Sequence, residues 1–146
     1  MPPPPELCLV NLHPAADFPV AWLEAALGRA LPLVLADPGT DAAAVLDDCD
    51  DIEICLVDDP TIARVHVDFM GIDGATDVIT FHHGEIVVSL DTAVRVAGEL
   101  GLPDRAEVLL YAIHGLLHLN GYDDTTPTAR DRMHARQHAI LAAVVE

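Results

Sequence analysis

The chain has 146 residues, of which 51% are hydrophobic and only 4% aromatic, so one domain is expected, with a core of Ala, Val, Leu and Ile. No apolar stretch approaches the roughly 20 residues of a membrane span, and the proline run Met1–Glu6 lacks the basic and apolar regions of a secretory signal; a cytoplasmic protein is the default expectation. The net charge of −17, from 24 acidic and 7 basic residues, repels a phosphate backbone at long range and attracts cations.

Alternating strands and helices point to α/β packing. Glu6–Leu12 (ELCLVNL) reads as the first strand. Asp17–Leu31 has helical spacing, with Val20, Leu23, Ala26 and Leu27 on one face, Asp17 as cap and Pro32 as stop. Asp41–Leu46 suggests a short helix, and Ile52–Val57 (IEICLV) a strand. Asp59-Pro60 opens a helix running to about Phe69, proline being tolerated in a first turn. Gly71–Ala75 is a loop. Asp77–Phe81 and Glu85–Leu90 are short strands around His82-His83-Gly84. Asp91 begins a helix that Gly101 and Pro103 end. Arg105 to about Asn120 is a strongly apolar, central helix, and Thr128–Val145 is the last. The three cysteines (Cys8, Cys49, Cys55) have no regular spacing and no CxxC pair, so they read as small buried hydrophobes rather than a disulfide framework.

The densest chemistry lies in His114-Gly-Leu-Leu-His118-Leu-Asn-Gly121-Tyr-Asp-Asp124. Histidines four apart stand one above the other on a helix face, and both imidazoles can reach one ion at roughly 2 Å. Gly121 accepts the left-handed conformation that ends a helix, and the turn can bring Asp124 back as a third ligand. Two histidines and a carboxylate leave positions open for water or substrate. The spacing H-x3-H-x2-G-x2-D also matches the frame of the metzincin peptidases, but Gly115 stands where those enzymes carry a glutamate base, and Asp124 replaces a histidine.

The same stretch resembles the signature of the YbeY-type bacterial endoribonucleases, H-G-x-L-H-L-x-G-Y-D-H, which HGLLHLNGYD (114–123) matches in full. The family's T-D-V-L-S-F appears as Thr76-Asp-Val-Ile-Thr-Phe81, its G-D-I-x-I-S as Gly84-Glu-Ile-Val-Val-Ser89, and its C-terminal Met and Gln four apart as Met133 and Gln137. The resemblance covers most of the chain. It implies one α/β domain across residues 1–146, with a small mixed four-stranded sheet flanked by about five helices and a zincin-like metal helix. It implies one divalent ion, zinc, on His114, His118 and Asp124. It further implies hydrolysis of single-stranded RNA in 16S rRNA 3′-end maturation and ribosome quality control, with rRNA and the ribosome or a ribosomal protein as partners.

Two positions depart from the family pattern. Its last metal ligand is usually histidine, whereas residue 124 is Asp; a His₂–carboxylate set suits zinc and also non-haem iron and manganese. The family's F-R-x-x-D-x-P-T-D reads Phe69-Met70-Gly-Ile-Asp73-Gly-Ala-Thr76-Asp77, so its arginine is Met70. A thioether cannot make a guanidinium's phosphate contact; Arg64, six residues upstream, is the nearest candidate substitute. These departures motivate a second expectation, a ribosome-associated binding protein with a structural metal and lost or slight nuclease activity; a third expectation is a metal-dependent hydrolase of another substrate, including peptides.

With no HExxH glutamate, the candidates for proton transfer are His82, His83 and Glu85, while Thr76 and Asp77 shape the loop or orient a ligand histidine. His134 and His138 repeat the four-residue spacing without a glycine turn or third ligand and read as a helix face. His13 and His66 have no partner pattern. Asp47, Asp48, Asp50 and Asp51 read as a solvated turn. Arg130, Arg132 and Arg136 form the densest basic patch, most simply explained as neutralising nearby acids.

Overall fold

The computed structural model describes residues 3–145, so the start of the proline run lies outside the described residues. Ten elements follow one another: β1 (Glu6–Asn11), α1 (Val20–Leu35), a 3-10 turn (Leu46–Asp48), β2 (Asp51–Val57), α2 (Asp59–Met70), β3 (Val78–Phe81), β4 (Glu85–Ser89), α3 (Leu90–Leu100), α4 (Asp104–Leu119) and α5 (Pro127–Val144). The strands form one sheet in the order β1-β2-β4-β3. β1 and β4 lie parallel to β2, and β3 runs antiparallel to β4 at the edge. This is the small mixed four-stranded sheet with about five helices that the family resemblance implies. Among the described residues no helix is long and apolar enough to cross a membrane.

The sequence of β2 shows why the sheet is covered on both sides. Its first half alternates, with Ile52 and Ile54 buried and Asp51 and Glu53 exposed, whereas 54–57 is a continuous buried run. Such runs belong to strands packed on both faces. On one face Ile52, Ile54, Leu56, Ile86 and Val88 pack with Leu23, Leu27, Leu109, Ile113 and Leu116 of α1 and α4. On the other, Cys55, Val57, Ile79 and Val87 meet Ile62 of α2. The central helix α4 is apolar nearly all round because it is buried nearly all round.

Two elements differ from expectation. Helix α1 passes through Pro32 to Leu35 and is not capped by Asp17; Pro19 is its N-cap. Proline removes one N–H donor, for which the Gly28 carbonyl would be the partner. Residues 28 and 32 both face solvent, where water can take that bond, while Val34 continues the buried stripe. Segment 41–46 is not a helix. Its amides are used elsewhere: Asp41 and Ala42 donate to the Gly121 carbonyl and Val45 to that of Leu119, with an antiparallel bridge between Ala44 and Asn120. The contact needs glycine on both sides, since a Cβ on Gly39 would lie 2.5 Å from the Gly121 oxygen, and Gly121 takes a φ of +98°. The segment therefore braces the turn after α4. The cysteines differ too: Cys55 is buried, Cys49 is intermediate and Cys8 is exposed.

Candidate metal centre

Gly115 sets where α4 rests. A Cβ there would come within 2.8 Å of the Ile86 side chain on β4, so with Ile86 as placed glycine lets the helix approach the strand this closely. That approach places His114 and His118, one turn apart, beside the edge strand β3. The chain then turns at Gly121, held by Tyr122, whose hydroxyl donates to the Asp37 carbonyl at 2.9 Å, and by Asn120, whose amide donates to the Val34 carbonyl at 2.8 Å. Asp124 follows with its carboxylate facing both rings.

His114 Nε2 lies 3.6 Å and His118 Nε2 3.8 Å from Asp124 Oδ2. These separations are long for direct hydrogen bonds. They fit donors that share an ion: ligands about 2.1 Å from one tetrahedral centre stand about 3.4 Å apart. The three groups form a set with mutual donor distances within 4.8 Å. The rings are also fixed from behind. His114 donates its Nδ1–H to Gln137 Oε1 at 2.7 Å, and His118 donates its Nδ1–H to the Tyr122 carbonyl at 3.2 Å. Both bonds select the tautomer whose Nε2 lone pair faces Asp124. Burial and the neighbouring His114 push the His118 imidazole below its ordinary pKa, against the opposing pull of Asp124. A neutral imidazole is the form that ligates a metal. The donors present therefore suit one divalent ion.

The three groups sit in a cleft of about 360 Å³ also lined by Met70, Thr76, Asp77, Val78, Ile79, Thr80, His82 and Asp123. Of the candidates for proton transfer, the cleft brings in His82 alone. His83 and Glu85 line a neighbouring hollow that His82 also borders, bonded to each other at 3.2 Å. Beside them the Cys55 thiol donates to Glu53 at 3.5 Å; burial and that bond push the thiol up to about 11, so it stays protonated. Met70 occupies the cleft wall, and Arg64 is exposed on α2 and not among the lining residues. Asp77 shapes the loop, accepting from its own neighbours Val78 N and Thr76 Oγ1. His134 and His138 are both exposed. Arg132 pairs with Asp41 at 2.6 Å, and Arg136 donates to the Leu33 carbonyl. Sequence reasoning noted Gln137 only as a spacing match. Its burial and its bond to His114 give it a role that a polar residue on the apolar stripe of α5 could have signalled.

Residues 30–145 match the family profile described as Endoribonuclease YbeY. A protein of that description from Moorella thermoacetica is 35% identical over 157 aligned positions, covering 94% of this chain and 96% of the relative. Another, from Chlorobaculum parvum, is 35% identical over 125 positions, covering 81% and 84%. The solution structure of TM1509 from Thermotoga maritima is similar in fold, with a TM-score of 0.61 at 22% identity over 94% of this chain and 88% of that one.

Proposed function

The chain belongs to the YbeY endoribonuclease family, and from that premise we propose that it is a metal-dependent, single-strand-specific endoribonuclease. On this reading residues 1–146 are one YbeY-like domain working in the cytoplasm on 16S rRNA 3′-end maturation and ribosome quality control, in contact with the ribosome or a ribosomal protein. The observation that carries it is the convergence of His114 Nε2, His118 Nε2 and Asp124 Oδ2 in an open cleft, with both Nδ1 atoms tied back. A divalent ion held there, zinc on this reading, supplies Lewis-acid activation of water and offsets the charge of the scissile phosphate. His114, His118 and Asp124 hold the ion, while Gln137 and the Tyr122 carbonyl keep the two rings aimed. We assign the proton transfer to His82, which lines the cleft, rather than to His83 or Glu85, which bond to each other outside it. An imidazole suits that role near neutral pH.

The test is cleavage of a labelled single-stranded RNA by purified wild type and His118→Ala in parallel. Wild type is expected to cut, and the variant to lose at least two orders of magnitude together with its bound metal. Equal cleavage by both would assign the activity to a contaminant. Equal silence with wild type fully metal-loaded would overturn the nuclease reading.

One observation favours a second reading, a ribosome-associated binding protein with a structural ion. Met70 stands in the cleft wall in place of the family's arginine, and no Lys or Arg lines the cleft.

A further inference from the structure

Next to the metal cleft lies a set of donor atoms that the proposed chemistry does not use. Strands β2 and β4 run parallel with Glu53 opposite Glu85, and Cys55 follows two residues along β2, on the same face of the sheet. The Cys55 sulfur, a carboxylate oxygen of Glu53 and one of Glu85 all lie within 4.8 Å of one another. Cys55 is 5% exposed and belongs to the small core that Val57, Ile62, Ile79 and Val87 build with it. Among the described residues its thiol makes one hydrogen bond, a long one of 3.5 Å to Glu53 Oε1, so nothing outside the set holds it. Glu85 is steadied by His83, which donates Nε2–H to its Oε1 at 3.2 Å.

We propose that Cys55, Glu53 and Glu85 form a second metal site, for a borderline-soft divalent ion such as zinc, beside the His114–His118–Asp124 centre. The donor types carry the inference. Carboxylates alone would attract any hard cation, but magnesium and calcium take oxygen ligands, and a buried sulfur in the set disfavours them. A thiolate with two carboxylates suits zinc, and three protein ligands leave one position for water. Like charges directly across a strand pair repel, and no Lys or Arg lines the hollow onto which Glu53 and Glu85 open. A cation between the two carboxylates removes that repulsion. Burial first, then the hydrogen bond to Glu53 and the charges of Glu53 and Glu85, push the thiol up to about 11. Its proton therefore stays until an ion arrives, and leaves to solvent as the sulfur–metal bond forms. The hollow, of about 560 Å³, gives the ion its way in, and Asp48, Asp50 and Asp51 on its walls draw cations towards it. His82 borders both this hollow and the cleft. An ion held here ties β2 to β4 next to the turn that carries His82.

Cobalt(II) reports the site directly, because only a sulfur ligand adds a near-ultraviolet charge-transfer band, and the His114–His118–Asp124 set contains no sulfur. Metal-free, reduced protein is titrated with Co²⁺. Wild type and His118→Ala are both expected to develop the band, which keeps the result independent of the first site. Cys55→Ala is expected to lose the band and Cys8→Ser to keep it. Excess Mg²⁺ should leave it unchanged, and Zn²⁺ should abolish it. Glu53 is exposed, so Glu53→Gln probes the set without disturbing the core even if Cys55→Ala fails to fold. Its titration midpoint is expected to rise about tenfold or more, the least that loss of even an outer partner costs a metal site. No band from wild type at excess Co²⁺, a band that survives in Cys55→Ala or vanishes in Cys8→Ser, displacement by Mg²⁺, or an unchanged midpoint in Glu53→Gln would each overturn the proposal.

Discussion

At Gly115, any side chain would collide with Ile86, and this decides between two families of metal site that share a spacing. A metzincin-like glutamate could occupy the position only if the Ile86 side chain or α4 itself shifted, so packing as well as sequence disfavours the base of that chemistry. The imidazoles depend on a second contact, from α5. Gln137 is 6% exposed and accepts the His114 Nδ1–H. Replacing it with leucine keeps the volume and leaves that N–H without its acceptor. Gln137→Leu is expected to weaken zinc affinity roughly 10- to 100-fold, read by competition with a chromophoric chelator, with far-UV circular dichroism unchanged. The clustering of His114, His118 and Asp124 was legible because they fall within eleven residues of one helix and its turn. The His114–Gln137 bond was not, because it spans 23 residues and depends on how α5 lies against α4.

Helices α2 and α3 are fixed at their N-termini by a small set of polar side chains. Asp58 caps α2 through Thr61 N, and Ser89 caps α3 through Thr92 N. Asp59 joins the two helices, accepting from Ser89 Oγ, Thr92 Oγ1 and Arg95. Asp91 adds to the junction by accepting from Asp59 N and His13 Nε2. Since α2 ends at Met70, this junction also positions one wall of the cleft. Burial pushes the Asp59 carboxyl up, but the hydrogen bonds from Ser89, Thr92 and Arg95 outweigh it and hold the pKa below the usual carboxylate value. The folded state therefore binds fewer protons here than the unfolded chain. The stabilisation is present above the unfolded aspartate value of about 4 and is lost as pH falls through the folded one. Asp59→Asn should cost on the order of 1 kcal/mol at pH 7, and urea midpoints of the two proteins should converge as pH drops below about 4. A constant gap across that range would assign the loss to packing. Element type and order were legible where an apolar run or an apolar periodicity marked them, as in β2, α4 and α3. The segment 41–46 was misread because its amides bond to the Gly121 and Leu119 carbonyls, a pairing no local propensity encodes. The roles of His13 and His66, which ties the loop through the Gly74 carbonyl at 2.9 Å, were hidden for the same reason.

Across the whole molecule, charge and proposed substrate oppose each other. A surface with 24 acidic and 7 basic residues slows approach of a polyanion, and the effect weakens as salt screens it. The usual local remedy, a cation beside the phosphate, is missing from the cleft walls, where Met70 stands. Met70 is 48% exposed, so an arginine there should change stability by no more than about 0.5 kcal/mol. Its effect on cleavage separates the two readings of the site. In a weakened nuclease, Met70→Arg adds a contact to the developing phosphoryl charge and is expected to raise kcat/KM on the order of tenfold or more. It should also add one phosphate contact to binding, steepening the dependence of log affinity on log salt by about one unit. In a binding protein with a structural ion, the steeper salt dependence would appear without any gain in cleavage, because there is no transition state for the guanidinium to serve. Measuring both quantities on one preparation therefore distinguishes better binding from better chemistry, which kcat/KM alone would merge.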